Sequence, residues 1–142
     1  MKIRLLLVDD EQEFTDTLKQ RLEIRDFSVN VAYSGEQALS QFNQDETDVI
    51  ILDVLMPGIS GIETLERFKT SAPLVEVIML TGNATVENAI QGMKKGAYDY
   101  LMKPVETELL VEKINEAYKI KHDHEERIRQ AEIQRIINHQ GW

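Results

Sequence analysis

The sequence predicts an α/β fold built on a doubly wound, five-stranded parallel sheet, and three observations predict it. First, short apolar runs recur at Ile3 to Val8, Val49 to Leu52, Val77 to Leu80 and Tyr100-Leu101-Met102. A strand covered on both faces needs apolar side chains at every position, so each run reads as a buried parallel strand. Second, segments of helical spacing lie between the runs, so that strand and helix alternate five times, as they do where helices cover both faces of a parallel sheet. Third, the runs end on polar residues: Asp9-Asp10, Asp53, Thr81 and Lys103. In an open parallel sheet, ligands bind in the crevice beyond the carboxyl ends of the strands. Three carboxylates, a hydroxyl and an ammonium are therefore expected on one edge, a set able to hold a divalent cation and a phosphoryl group.

Taken in order, the first strand is followed by Phe14, Leu18 and Leu22, which recur on one helix face. Phe27 to Ala32 alternates Phe27, Val29 and Val31 as a second strand. Ser34-Gly35-Glu36-Gln37 has the pattern of a capping box, with the Ser hydroxyl accepting a backbone N–H and Gln37 reaching back. Ala38, Leu39 and Phe42 then form the stripe of a short second helix. Ser60-Gly61-Ile62-Glu63 repeats the cap ahead of Ile62, Leu65 and Phe68, and Ala72-Pro73 ends that third helix. Val86, Ala89, Ile90 and Met93 mark a fourth helix stopping near Gly96, and Leu109, Leu110, Ile114 and Ala117 a fifth. Short connections and right-handed crossovers leave few windings for such a chain. The order 2-1-3-4-5, the flavodoxin-like one, sets the first and third strands side by side at the switch point, where Asp9, Asp10 and Asp53 would meet.

Residues 121–142, after a compact unit of residues 1–120, are rich in Glu, Arg, Gln and Ile and lack Pro. They read as an extension of the fifth helix. Lys121, His124 and Arg135 interrupt any heptad seam, so a strong coiled coil is not expected. Exposed isoleucines there call for cover, which makes docking on a partner, or a homodimer, the expectation for this segment. His122 and His124 are two apart, not the i, i+4 pair a metal would need.

The 142 residues carry a formal net charge of -9, which argues against direct binding to nucleic acid or an anionic membrane, since both need a basic face. With no cysteine, disulfides, thiolate zinc sites and cysteine nucleophiles are excluded. The first apolar run is too short and too quickly acidic for a signal peptide, and a cytoplasmic location is the default expectation.

Taken alone, each polar signal has a plain structural reading. Asp10 is an N-cap with Glu13 behind it, Thr81 opens the turn Thr81-Gly82-Asn83, and Lys103 is a surface lysine before Pro104. Their company argues otherwise. Adjacent carboxylates after a buried strand repel each other unless a cation is present, and magnesium (or manganese) suits a few carboxylate oxygens with retained water and phosphate oxygens. Asp53 is needed neither for the later Pro57-Gly58 turn nor for the separately capped third helix. A carboxylate beside a metal can attack a phosphoryl donor and become an aspartyl phosphate. Thr81 and Lys103 offer a hydroxyl and a fixed cation to the phosphoryl oxygens. The Lys103-Pro104 bond is a candidate cis peptide.

Residues 1 to about 120 resemble a bacterial two-component response-regulator receiver domain. The resemblance is carried by Leu7-Val8-Asp9-Asp10-Glu11, Leu52 to Gly58, Thr81-Gly82 and Gly96 to Pro104. It implies that Asp53 accepts phosphate from a sensor histidine kinase or phosphotransfer protein. It also implies that Asp10 ligates magnesium directly, Asp9 through water and Leu55 through its backbone carbonyl. Thr81 and Lys103 would contact the phosphoryl group, and Tyr100 would be the aromatic switch that swings inward as Thr81 moves to the phosphate; core packing is the alternative for Tyr100. The switch would reshape the surface of the fourth helix, fifth strand and fifth helix for an unknown downstream protein target. The family tunes loss of its phosphate through the side chains at Leu55 and Asn83. Leu55 is apolar and cannot orient an attacking water, so a comparatively long-lived phosphorylated state is expected. Thr81 to Glu87 with Gly96 to Pro104 is most similar to receivers of the nitrogen-regulatory type. No Gly-rich phosphate loop or helix-turn-helix follows, so the chain is expected to be either a stand-alone receiver or a piece of a longer protein.

Two other classes compete with a non-enzymatic switch. A phosphohydrolase of the haloacid-dehalogenase kind also uses an aspartate nucleophile, but needs a second acid two residues on, and Leu55 stands there after Asp53. A nucleotide- or flavin-binding domain of similar winding would show a Gly-rich loop after the first strand, and none appears.

Overall fold

The structure is a computed structural model and describes residues 2–82 and 85–140. Its elements follow as β1 (Arg4–Val8), α1 (Gln12–Ile24), β2 (Ser28–Ala32), α2 (Gly35–Gln41), β3 (Val49–Leu52), α3 (Gly61–Ser71), β4 (Glu76–Thr81), α4 (Val86–Lys94), β5 (Asp99–Met102) and α5 (Thr107–Gln140). All neighbouring strands are parallel, in the order β2-β1-β3-β4-β5. The doubly wound sheet and its order are as expected.

Alternation along the strands divides the core into two layers. Leu6, Val8, Ile50, Leu52, Val77 and Met79 face Leu65 and Phe68 of α3 and Ala38 of α2. Leu5, Leu7, Val49, Ile51, Ile78 and Leu80 face Leu18 and Leu22 of α1 and Leu110, Ile114 and Ala117 of α5. Every residue of β3 is buried, because it is central and covered on both sides. Both expected serine caps form. Gln37 N–H donates to Ser34 Oγ at 3.0 Å, and Glu63 N–H to Ser60 Oγ at 3.1 Å. The Gln37 amide oxygen accepts the N–H of Tyr33, one residue before the cap.

Five details differ from the expectation. Phe27 is buried but precedes β2, and Thr81 is the last residue of β4 rather than the residue after it. The cap of α1 is Glu11, with no side-chain cap bond, so Asp10 is not that cap. The α4 stripe does not face the core. Val86, Ile90 and Met93 are exposed, and the buried position is Gly92, where the helix approaches Tyr100 closely. Finally, the body's contacts run past residue 120, since Lys121 is buried against Asp48 at the amino end of β3. α5 continues unbroken for 34 residues, roughly 50 Å at helical rise. Among the described residues, no helix is long and apolar enough to cross a membrane.

Candidate functional site

The strand ends carry the site because the ladder runs one residue past each of them. Asp9 N–H donates to the Ala32 carbonyl at 3.1 Å, Asp53 N–H to that of Val8 at 2.9 Å, and Lys103 N–H to that of Thr81 at 2.8 Å. Backbone pairing therefore fixes where each side chain leaves the sheet. Behind Asp53 the chain folds so closely that a side chain at position 61 has no room. A Cβ on Gly61 would lie 2.1 Å from the Asp53 carbonyl oxygen and 2.6 Å from Val54 Cα. Gly61 lets the start of α3 close onto the loop that presents Asp53, with Gly61 N–H bonded to the Val54 carbonyl at 2.8 Å.

Asp9, Asp10 and Asp53 each offer a carboxylate oxygen within 4.8 Å of the others. Asp9 and Asp53 are buried, and Asp10 is the more exposed of the three. Both oxygens of Asp9 are engaged: Oδ1 accepts the Glu11 N–H at 3.0 Å, and Oδ2 accepts Lys103 Nζ at 2.5 Å. Burial nevertheless pushes the Asp9 carboxyl up to about 6, against the pull of Lys103 and the Glu11 amide, and Asp53 adds to the rise. Asp53 Oδ1 is buried with no hydrogen-bond partner among the described residues. An orphaned buried oxygen inside a surplus of negative charge is what a hard divalent cation would relieve, and an all-oxygen donor set fits magnesium.

Lys103 is the cation within reach. Its Nζ also donates to Glu11 Oε1 at 2.8 Å and lies 3.9 Å from Asp53 Oδ2. Burial would lower its pKa, but the bonds to Asp9 and Glu11 outweigh that and raise it, so Lys103 stays charged. The Lys103-Pro104 peptide is cis. Thr81 is buried at the end of β4. Tyr100, expected to swing inward, already lies inward against the α3-side core, with its hydroxyl buried and partnerless among the described residues; burial, then Asp53, raises its pKa. Leu55 is half-exposed beyond β3. Asn83 lies outside the described residues. The sequence motifs give Glu11 and Gly61 no role, and helical spacing places Phe14 only on a helix face. Their contribution depends on distances across the fold that residue type alone does not carry.

Residues 5–115 match the family described as response regulator receiver domain. The chain is 42% identical over 111 residues to the transcriptional regulatory protein CpxR of Escherichia coli K12, covering 78% of this chain and 47% of that one. It is 36% identical over 112 residues to the transcriptional regulatory protein TrcR of Mycobacterium tuberculosis, covering 79% of this chain and 44% of that one. It thus spans less than half the length of these curated relatives. Among solved structures it is similar to a CheY-like response regulator receiver domain protein of Methanospirillum hungatei JF-1, with a TM-score of 0.83 and 31% identity over 87% of this chain and 99% of that one.

Proposed function

The chain belongs to the response-regulator receiver domain family, phosphorylation-dependent switches of two-component signalling, and on that premise we propose that Asp53 is its phosphoacceptor. The observation that carries the assignment is the partnerless buried oxygen of Asp53 beside the shared ammonium of Lys103.

A carboxylate oxygen of Asp53 attacks phosphorus of a phosphohistidine on a sensor kinase or phosphotransfer protein. The new P–O bond forms as the P–N bond breaks, and the imidazole leaves with that electron pair and takes up a proton. Such a transfer depends on positioning and charge neutralisation rather than on acid–base help. Lys103, already charged, and the Thr81 hydroxyl bind the phosphoryl oxygens. Asp9, Asp10, Asp53 and the Leu55 carbonyl would hold magnesium, which would supply neutralisation of the charge on the phosphoryl group.

The phosphoryl group, with close to two charges, draws Thr81 and Lys103 into new hydrogen bonds. Tyr100, whose hydroxyl gains nothing where it is, follows. The surface that answers is α4, β5 and α5, where Val86, Ile90, Met93, Met102 and Leu109 are exposed, an apolar patch suited to a protein partner. Residues 1–120 form the switch unit and 121–142 an extension that serves a partner or a second copy of the chain. A cytoplasmic location accords with this role.

Phosphoramidate with magnesium should label the protein once, and Asp53→Asn should abolish the label; a label of equal yield in the variant would refute the assignment. The apolar Leu55, unable to orient water, should give a long-lived phosphoprotein. Leu55→Asn should shorten that lifetime, and a slower variant would contradict the reading.

A further inference from the structure

The receiver reading assigns no role to Phe14, yet its ring is in contact with the Lys103 ammonium. Lys103 Nζ lies 4.2 Å from the ring centroid. Its other neighbours are Asp9 Oδ2 at 2.5 Å, Glu11 Oε1 at 2.8 Å and, further off, Asp53 Oδ2 at 3.9 Å. An ammonium has three N–H donors. Asp9 and Glu11 occupy two. The Glu11 side chain is 62% exposed, so on charge alone it draws the ammonium outward, away from the buried Asp53. An aromatic face holds a cation without accepting one of its conventional hydrogen bonds, and holds it better when water is excluded. The Lys103 side chain is only 11% exposed, so this contact is largely dry.

The ring is itself anchored. Phe14 is partly buried against the core layer under α1 and α5, together with Val105. Glu11 and Phe14 are three residues apart, hence neighbours at the start of α1. They form a seat for the ammonium from one side, while Asp9 holds it from the strand end.

We propose that Phe14 is a positioning residue for phosphoryl transfer: its ring confines the Lys103 ammonium beside the carboxylate cluster, leaving one N–H to meet a phosphoryl oxygen on Asp53. This rests on the assignment of Lys103 to the phosphoryl group. Phe14 touches no reacting atom and acts through Lys103.

The test uses the full chain, saturating magnesium and phosphoramidate, and compares Phe14→Leu, which keeps apolar bulk, with Phe14→Trp, which keeps an aromatic face. A groove of about 550 Å³ bordered by Phe14, Leu18 and Val105 gives the larger indole room. Phe14→Leu should slow labelling roughly two- to ten-fold, and Phe14→Trp should restore it to within about twofold. In a Lys103→Met background, Phe14→Leu should have no further effect. The Lys103 ε-methylene protons should carry an upfield ring-current shift in wild type and Phe14→Trp, and lose it in Phe14→Leu. Equal rates for the Leu and Trp variants, an undiminished effect of Phe14→Leu in the Lys103→Met background, or an absent ring-current shift would overturn the proposal. Failure of wild type to label at all would instead refute the phosphoacceptor reading. The ring-current comparison would still decide whether Phe14 holds the ammonium.

Discussion

Two buried lysine–aspartate pairs occupy opposite edges of the same sheet, and they are built to opposite ends. At the carboxyl edge, Asp9 shares Lys103 with Glu11 and faces Asp10 and Asp53. At the amino edge, Asp48 is closed on all sides. It accepts Arg4 N–H at 2.8 Å, the Arg4 guanidinium at 2.9 and 3.1 Å, and Lys121 Nζ at 3.0 Å. Burial alone would raise both carboxyls. At Asp48 the Arg4 and Lys121 bonds overcome it and the pKa falls, whereas at Asp9 burial outweighs the bonds from Lys103 and the Glu11 amide, Asp53 adds to the rise, and the pKa stands at about 6. A satisfied ion pair is architecture. A surplus of buried charge with an orphaned oxygen waits for something to neutralise it.

The sharpest way to break that contrast is to neutralise one acid at each edge without changing its shape. In metal-free protein, Asp48→Asn should cost about 3 kcal/mol in denaturant unfolding, because it strands Lys121 with only Glu125, at 3.2 Å, and leaves Arg4 half-paired. Asp53→Asn should leave stability unchanged or raise it by up to about 2 kcal/mol, since it removes charge from a crowded site. Equal losses would mean the two edges are alike after all. The sign of the pH dependence follows from the lowered Asp48 pKa. Its contribution is complete above the unfolded value, near pH 4, and drains away as pH falls through the folded one. The stability gap between wild type and Asp48→Asn should therefore narrow steadily below about pH 4.

The contrast also marks what residue type could and could not reveal. β3 was legible because Val49, Ile50, Ile51 and Leu52 are apolar without alternation, and only a strand covered twice wants that. Once strand order followed, the meeting of Asp9, Asp10 and Asp53 followed with it. The α4 stripe was legible as a helix but not as a surface. Periodicity says which residues share a face, not whether anything covers it, and Val86 is 77% exposed. The Asp48–Lys121 bond joins residues 73 apart, and Lys121 looked like an interruption of a seam when it is a buried anchor. Glu11 and Phe14 owe their contacts with Lys103 to the fold bringing the residue after β5 beside the start of α1, a tertiary distance with no local signature.

A milder separation of the two edges comes from magnesium itself. At about ten times its dissociation constant, a cation bound only by the folded state adds roughly 1.4 kcal/mol of stability. Wild type and Asp48→Asn should both gain this in thermal unfolding, and Asp10→Asn should not. A gain that survives Asp10→Asn but is lost in Asp48→Asn would move the cation site to the other edge.

The smallest expected effect concerns Tyr100, whose hydroxyl shares with Asp53 Oδ1 the condition of being buried without a partner among the described residues. Leaving a hydroxyl unpaired costs about 1–3 kcal/mol of desolvation, so the inward position of Tyr100 rests on its ring, packed beside Gly92, and not on its oxygen. Tyr100→Phe should then leave the unphosphorylated protein as stable as wild type or up to about 1 kcal/mol more stable. A loss greater than that would reveal a hydrogen bond holding the ring in place. A gain would mean that the oxygen penalises its present site, and a side chain penalised where it stands is one that a small movement of Thr81 can shift.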